Sequence, residues 1–362
     1  MKLTSEQLID LSVGAAFLGT GGGGDPYVGR LMVQQCLDEG LSVEIVSPED
    51  LDDDMLVIPT AMMGAPTVLV EKIPSGEEAI FSLQRLERHL GRKASATMPI
   101  EIGGINSTIP LVVGARLGLP VVDADGMGRA FPFLEMETFG VYGVPGSPLA
   151  VSDEDGDCAL IEAIDNRQME WLARAVAIRM GGSAYIAEYA MSGADVKRTA
   201  VPNTLTLAIR IGEVLRRARQ SHENPIEALI GFLPNTLYRY GRAIFAGKIV
   251  DVLRETKAGF AIGRVRIEGI APFTSAMEIE IQNENLIARV DGKVKAIVPD
   301  LICIMNTETA EPITSENLRY GQRVTVIAVS VPEIMRTPKA LNVFGPACFG
   351  LKEPFIPIEQ IG

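Results

Sequence analysis

The hydrophobic pattern of this 362-residue chain changes period once, at about Gly259, and that change restricts the architecture more than any motif does. Before it, short β-rich runs alternate with segments whose apolar residues recur at helical spacing, which calls for a sheet with helices packed on it. After it come strictly alternating runs at 263–267, 277–281, 286–290 and 323–327, broken by Gly, Asn and Asp. A period of two reads as antiparallel strands, and Asp291-Gly292 between two of the runs is a two-residue hairpin signal. The expected fold is an α/β N-terminal domain with a mostly parallel sheet and helices, plus a C-terminal, mostly antiparallel β domain. The boundaries read as 1–165 for the α/β domain, 166–258 for a helix-rich α/β continuation, 259–345 for the β domain and 346–362 for a C-terminal tail. With no repeat or long linker between them the domains should dock rigidly, and a cleft between them is the expected site.

Within the first part, Thr4 to Gln7 form a capping box that opens a helix running into Gly19. Asp25-Pro26 reads as an N-cap followed by proline at the first helical position, opening a second helix that stops at Gly40. Strands are expected at 42–46, 55–59, 97–102, 120–123, 158–164 and 184–189. Helices are expected at 77–90, 107–117, 167–180 and 204–220, the last carrying Arg210, Arg216, Arg217 and Arg219 on a solvent- or partner-facing surface.

The charge balance excludes two classes of partner. With 33 Lys+Arg against 46 Asp+Glu the net charge is −13, so the basic footprint that nucleic acids and anionic membranes require is missing. A small-molecule substrate and protein partners remain. Cys36, Cys158, Cys303 and Cys348 are widely spaced, as suits neither a disulfide framework nor a zinc ribbon, and Cys158 reads as a buried structural thiol. The two histidines, His89 and His222, fall away from every motif, against a histidine triad or zinc site. No signal peptide or membrane span is read, so a cytoplasmic location is expected.

Three segments carry candidate chemistry. Gly19-Thr20-Gly21-Gly22-Gly23-Gly24 matches G-x-G-x-x-G, but it follows a helix where a dinucleotide fingerprint must follow a strand. It reads instead as a ligand-contacting loop, in which Gly21, Gly22, Gly23, Gly24 and Asp25 present backbone N–H groups at a helix start. A tight turn between packed helices is the alternative. Glu101, then Gly103, Gly104 and Asn106, place a carboxylate and a polar side chain at the end of a strand, where α/β sheets gather ligands. Asn106 and Ser107 suit helix capping equally well. Asp123 and Asp125, at i and i+2, project from one face if the strand continues, and paired carboxylates in a dry cleft supply a proton donor beside an acceptor. Arg129 then counters that charge or clamps a substrate oxyanion. The run 152–157 is a solvated acidic turn, since its spacing does not fit a calcium loop.

With these motifs, together with Ala130-Phe131-Pro132, Pro299-Asp300-Leu301-Ile302, Leu318-Arg319-Tyr320-Gly321 and the tail Val343-Phe344-Gly345-Pro346, the chain resembles the S-methyl thiohydantoin desulfurase family over nearly its whole length. One departure is Phe133, where the family commonly carries an acidic residue. The resemblance implies an α/β domain followed by a β domain, hydrolysis of an S-methylated thiohydantoin to hydantoin and methanethiol, and a possible hydantoinase-type protein partner. That chemistry needs a base for water, a proton donor and donors for developing charge. Asp123 or Asp125 suits the base, and Glu101 or the second aspartate the donor. Arg129, Asn106 and the Gly21 to Gly24 amides suit substrate oxygen. A divalent metal held by Asp123, Asp125 and Glu101 is an alternative way to activate the water. A non-catalytic, metabolite-binding accessory subunit is the competing function, and a homo-oligomer is the base-rate expectation.

Overall fold

A computed structural model describes residues 1–64, 68, 74–257 and 259–361. The chain opens with the helix Ser5–Leu18, closed by the expected capping box: the Thr4 hydroxyl accepts from the Gln7 amide and the Gln7 side chain accepts from the Thr4 amide. Asp25 caps the next helix, Pro26–Asp38, accepting from Tyr27 N at 2.9 Å. The Gly-rich loop thus joins two helices.

The first sheet is mixed. Strands β1 (Ile45–Val46), β2 (Leu56–Gly64), β3 (Ala96–Met98) and β4 (Val121–Val122) form its parallel core. A short ribbon, β5 (Ala124–Asp125) with β10 (Val201–Pro202), stands apart from it. Strands β6 (Leu149–Ser152), β7 (Cys158–Ile161) and β8 (Ser183–Ala187) extend the core antiparallel, in the order β1-β4-β3-β2-β8-β6-β7, and β9 (Met191–Ser192) also pairs with β2. The central strand β2 is buried on both faces, so it reads as one apolar run. Its Ile58 and Met62 share a core with Leu83 and Val113 of the helices Glu78–Leu90 and Ile109–Leu117. Its Val57, Ala61 and Met63 join the main core with Met169, Ala173 and Ala177 of the helix Asn166–Arg179.

The second sheet is wholly antiparallel, ordered β15-β14-β13-β12-β11-β17-β16. Its strands are β11 (Gly241–Lys257), β12 (Phe260–Gly269), β13 (Ala276–Gln282), β14 (Glu284–Val290), β15 (Lys293–Ile297), β16 (Leu301–Asn306) and β17 (Arg323–Val329). The sheet therefore begins at Gly241, ahead of the period change at Gly259. Two register shifts, at Ala243/Phe245 and Ile249/Asp251, break the alternation of β11 and hide it from pattern reading. Asp291 and Gly292 turn the β14–β15 hairpin with φ of 50° and 74°, as the sequence requires.

The long helix Thr204–Gln220 spends one arginine on the first helix: Arg216 reaches both carboxylate oxygens of Asp10, at 2.9 and 2.7 Å, and Glu6 at 2.9 Å. Among the described residues, no helix is long and apolar enough to cross a membrane.

Candidate active site

The end of the parallel strands and the Gly-rich loop meet backbone to backbone. Ile105 N donates to Gly23 O at 2.9 Å, and a Cβ on Gly104, whose φ is +60°, would stand 2.1 Å from that same oxygen. Only glycine tolerates both the conformation and the approach. The β domain holds the loop from the other side. Thr20 Oγ1 donates to Ile302 O at 2.9 Å, while Asn285 N donates to Thr20 O at 2.8 Å and Ser315 N to Gly21 O at 2.7 Å. The glycine run is a tight connector clamped between two sheets, and Gly23 also lines a cavity.

That cavity, of about 40 Å³, lies between the two domains. Its walls are Met62, Met63, Ile100, Met127, Phe131, Pro132 and Leu134, and its polar atoms come from Glu101, Asn106, Arg174, Asn283 and Glu284. The backbone leaves β3 at Met98, so Glu101 stands on the loop beyond the strand. Its Oε1 accepts from Asn106 Nδ2 at 2.6 Å and its Oε2 from Phe131 N at 3.3 Å. Asn106 also takes Met62 N at 2.7 Å and gives to Met62 O at 3.0 Å, so it ties Glu101 to the central strand instead of capping the helix. Burial is the main cause that pushes the Glu101 carboxyl up to about 8, against the pull of the Asn106 hydrogen bond. Glu284 enters from the start of β14 and is pushed well above the usual carboxylate range by burial and by the neighbouring Glu101 charge. Two carboxyls with high proton affinity therefore face one cavity.

The aspartates are placed elsewhere. The strand breaks at Asp123, so the i and i+2 positions do not share a face. Asp123 accepts from Thr206 N at 3.0 Å and from the Thr206 hydroxyl, satisfying the start of the helix Thr204–Gln220. Asp125 turns inward, and its Oδ2 accepts from Ile102 N, Met127 N and Gly128 N at 2.9, 3.1 and 2.7 Å. Those bonds fold the loop that carries Met127, while burial still lifts Asp125 to about 7. Neither aspartate lines the cavity, and Asp25 serves as a helix cap.

Arg129 is not among the residues that line this cavity. Its fully buried guanidinium donates to Ala130 O at 3.0 Å, Pro299 O at 2.8 Å and Asp300 O at 3.0 Å, and stacks 4.6 Å from the Phe131 ring centroid. It bolts the acidic loop to the β domain. Cys158 is exposed on β7, not buried. His89 lies near Glu162, outside the cavity lining.

Two cavity residues escape the sequence pattern. Arg174 looks like any helix-surface arginine at i+4 from Glu170. Yet its Nε donates to Glu170 Oε1 at 2.7 Å and its Nη2 to Pro132 O at 3.0 Å, and its guanidinium lies over Phe260. Glu284 sits in Asn283-Glu284-Asn285, a polar triplet that reads as a turn between strands. The left-handed Asn283, at φ 56°, is the local signal of a bend that aims the next side chain inward. Among the described residues no three His, Cys, Asp or Glu side chains are gathered as a metal site.

Comparison with known proteins places this geometry in a family context. The model for the S-Me-THD-like N-terminal domain matches residues 6–163, and that for the S-Me-THD-like C-terminal domain matches residues 164–358. A crystal structure of a protein from Chromobacterium violaceum is similar with a TM-score of 0.80 at 25% identity, covering 99% of this chain and 100% of that one. A search of curated proteins finds no match.

Proposed function

This chain belongs to the S-methyl thiohydantoin desulfurase (S-Me-THD-like) family, and from that premise we propose that the residues lining its inter-domain cavity, which must widen to admit a ring, hydrolyse a small S-methylated thiohydantoin. The products are the hydantoin and methanethiol. The observation that carries the reading is the placement of Glu101 in the inter-domain cavity beside a second buried carboxyl, Glu284, with burial pushing the Glu101 carboxyl up to about 8. An acid poised near working pH is what protonation of a weakly basic ring nitrogen requires.

In this reading Glu101 gives its proton to the ring nitrogen, making the carbon that bears the methylthio group electrophilic. Water adds to that carbon, and its proton returns to the Glu101 carboxylate. As the C–S bond breaks and the new carbonyl forms, Glu284 protonates the departing sulfur and recovers a proton from the collapsing hydroxyl. Met62, Met127 and Phe131 supply apolar and aromatic walls suited to a methylthio group. Arg174 supplies the cationic wall.

The test is methanethiol release from a series of S-methylated thiohydantoins with different ring substituents. Turnover is expected, with kcat/KM falling as pH rises through about 8, because the acid must be protonated. Release from none of the substrates, or undiminished turnover in a folded Glu101→Gln variant, overturns the reading.

A further inference from the structure

Among the polar side chains that line the inter-domain cavity, Asn106 has both ends of its amide engaged with Met62 and Glu101, and Arg174 gives Nε to Glu170 and Nη2 to Pro132 O. Asn283 is held differently. It is buried at the corner between β13 and β14 with a left-handed φ of 56°, and its backbone N donates to Ala261 O at 2.7 Å. Its side chain turns back on the same residue, where Oδ1 accepts from Ala261 N at 2.8 Å. A backbone N–H can only donate, so the amide atom facing it must be the oxygen, and the orientation of the amide is fixed. The hydrogens on Nδ2 then have no partner among the described residues, on a residue that lines the cavity. Arg174, whose guanidinium lies 4.6 Å from the ring centroid of Phe260, flanks the same start of β12.

This amide is a neutral donor held in place before any ligand arrives. In an S-methylated thiohydantoin the C=N bond at the methylthio carbon is conjugated, through the ring nitrogen, with the ring carbonyl. When water adds to that carbon, electron density moves onto the nitrogen and on to the carbonyl oxygen, where a hydrogen bond strengthens as charge grows. We propose that Asn283 determines which rings the cavity accepts, donating from Nδ2 to the ring carbonyl oxygen and selecting oxygen over sulfur at that position. The inference rests on the hydrolysis reading for the class of ring, and adds the atom by which the ring is recognised and oriented. Sulfur in place of that oxygen leaves the ring planar and uncharged but makes it a poorer acceptor. For one hydrogen bond between neutral groups the loss is about tenfold in affinity.

The full-length protein is titrated by calorimetry with hydantoin and with 4-thiohydantoin, which differ only in that acceptor. Hydantoin should bind the wild-type protein about tenfold more tightly, and the two rings should bind Asn283→Gly equally. Glycine suits the left-handed backbone at this corner, and circular dichroism checks that the variant folds. The wild-type comparison tests the proposal without any variant. Equal affinity of the two rings for the wild-type protein, no binding of hydantoin, or a preference that survives in folded Asn283→Gly overturns it. Because the readout is binding, the two readings fail separately. A preference lost in Asn283→Gly with no methanethiol release from any substrate leaves this assignment standing and removes the hydrolysis, and release with the preference unchanged in the variant does the reverse.

Discussion

Replacing Glu101 by Gln should make the protein less active and, above about pH 7, more stable, with a gain set by pH. The Glu101 carboxyl is raised from 4.5 to about 8 in the folded state, chiefly by burial. Between those values the folded chain holds a proton that the unfolded chain has shed, so rising pH favours unfolding across that window. At about 1.36 kcal/mol per pH unit, the penalty is negligible near pH 4.5, about 3 kcal/mol at pH 7 and about 5 kcal/mol above pH 8. Glutamine is never ionised and escapes it. One cost offsets part of the gain: with its oxygen toward Asn106 Nδ2, the new amide points N–H at Phe131 N, which now donates to Glu101 Oε2 at 3.3 Å. That mismatch costs about 1–3 kcal/mol but does not vary with pH. The decisive quantity is therefore the slope. Urea unfolding of both proteins from pH 5 to 8.5 should show a difference that widens by several kcal/mol as pH rises, and parallel curves would refute the claim that Glu101 is protonated in its cavity.

Other substitutions separate the roles assigned above. Gly22→Ala places a Cβ 2.0 Å from Glu284 Oε1 with no backbone strain of its own, so Glu284 must leave the cavity. Methanethiol release should fall by about a hundredfold while circular dichroism is unchanged. Asp123→Ala removes the acceptor at the start of the helix Thr204–Gln220 and should cost about 1 kcal/mol in urea unfolding, leaving turnover intact; a collapse of kcat in folded protein would restore Asp123 as a base. Arg129→Ala strips the carbonyls of Pro299 and Asp300 of their donor, and should cost about 3 kcal/mol or more, read as a fall in the unfolding midpoint.

The sequence announces what local rules decide. The Thr4 capping box, the helix Thr204–Gln220 and the Asp291-Gly292 hairpin each follow from neighbours within a few residues. Glu101 and Asn106 were also legible, because polar side chains following an apolar strand need a reason to be there. Arg174 and Glu284 were not, since each lies in a segment whose local pattern is ordinary and acquires its neighbours only through contacts distant in the chain. The Asp123 and Asp125 pair shows the opposite failure. Strand β4 ends at Val122, so the alternation of faces does not reach Asp125, and the two side chains turn to different partners.

The position of β8 in the first sheet carries a consequence for biosynthesis. Ser183–Ala187 sits between β2 and β6, yet it belongs to the segment matched by the second family model, which begins at residue 164. A ribosome that has released only the first segment has made β2 and β6 without the strand that separates them. The Gly-rich loop still waits for Asn285, Ile302 and Ser315. A nascent chain at that stage exposes unpaired strand edges, which are sticky. The two family segments are therefore not translational modules. A gene split at their junction should yield halves that need each other, or a chaperone, from the moment they are made.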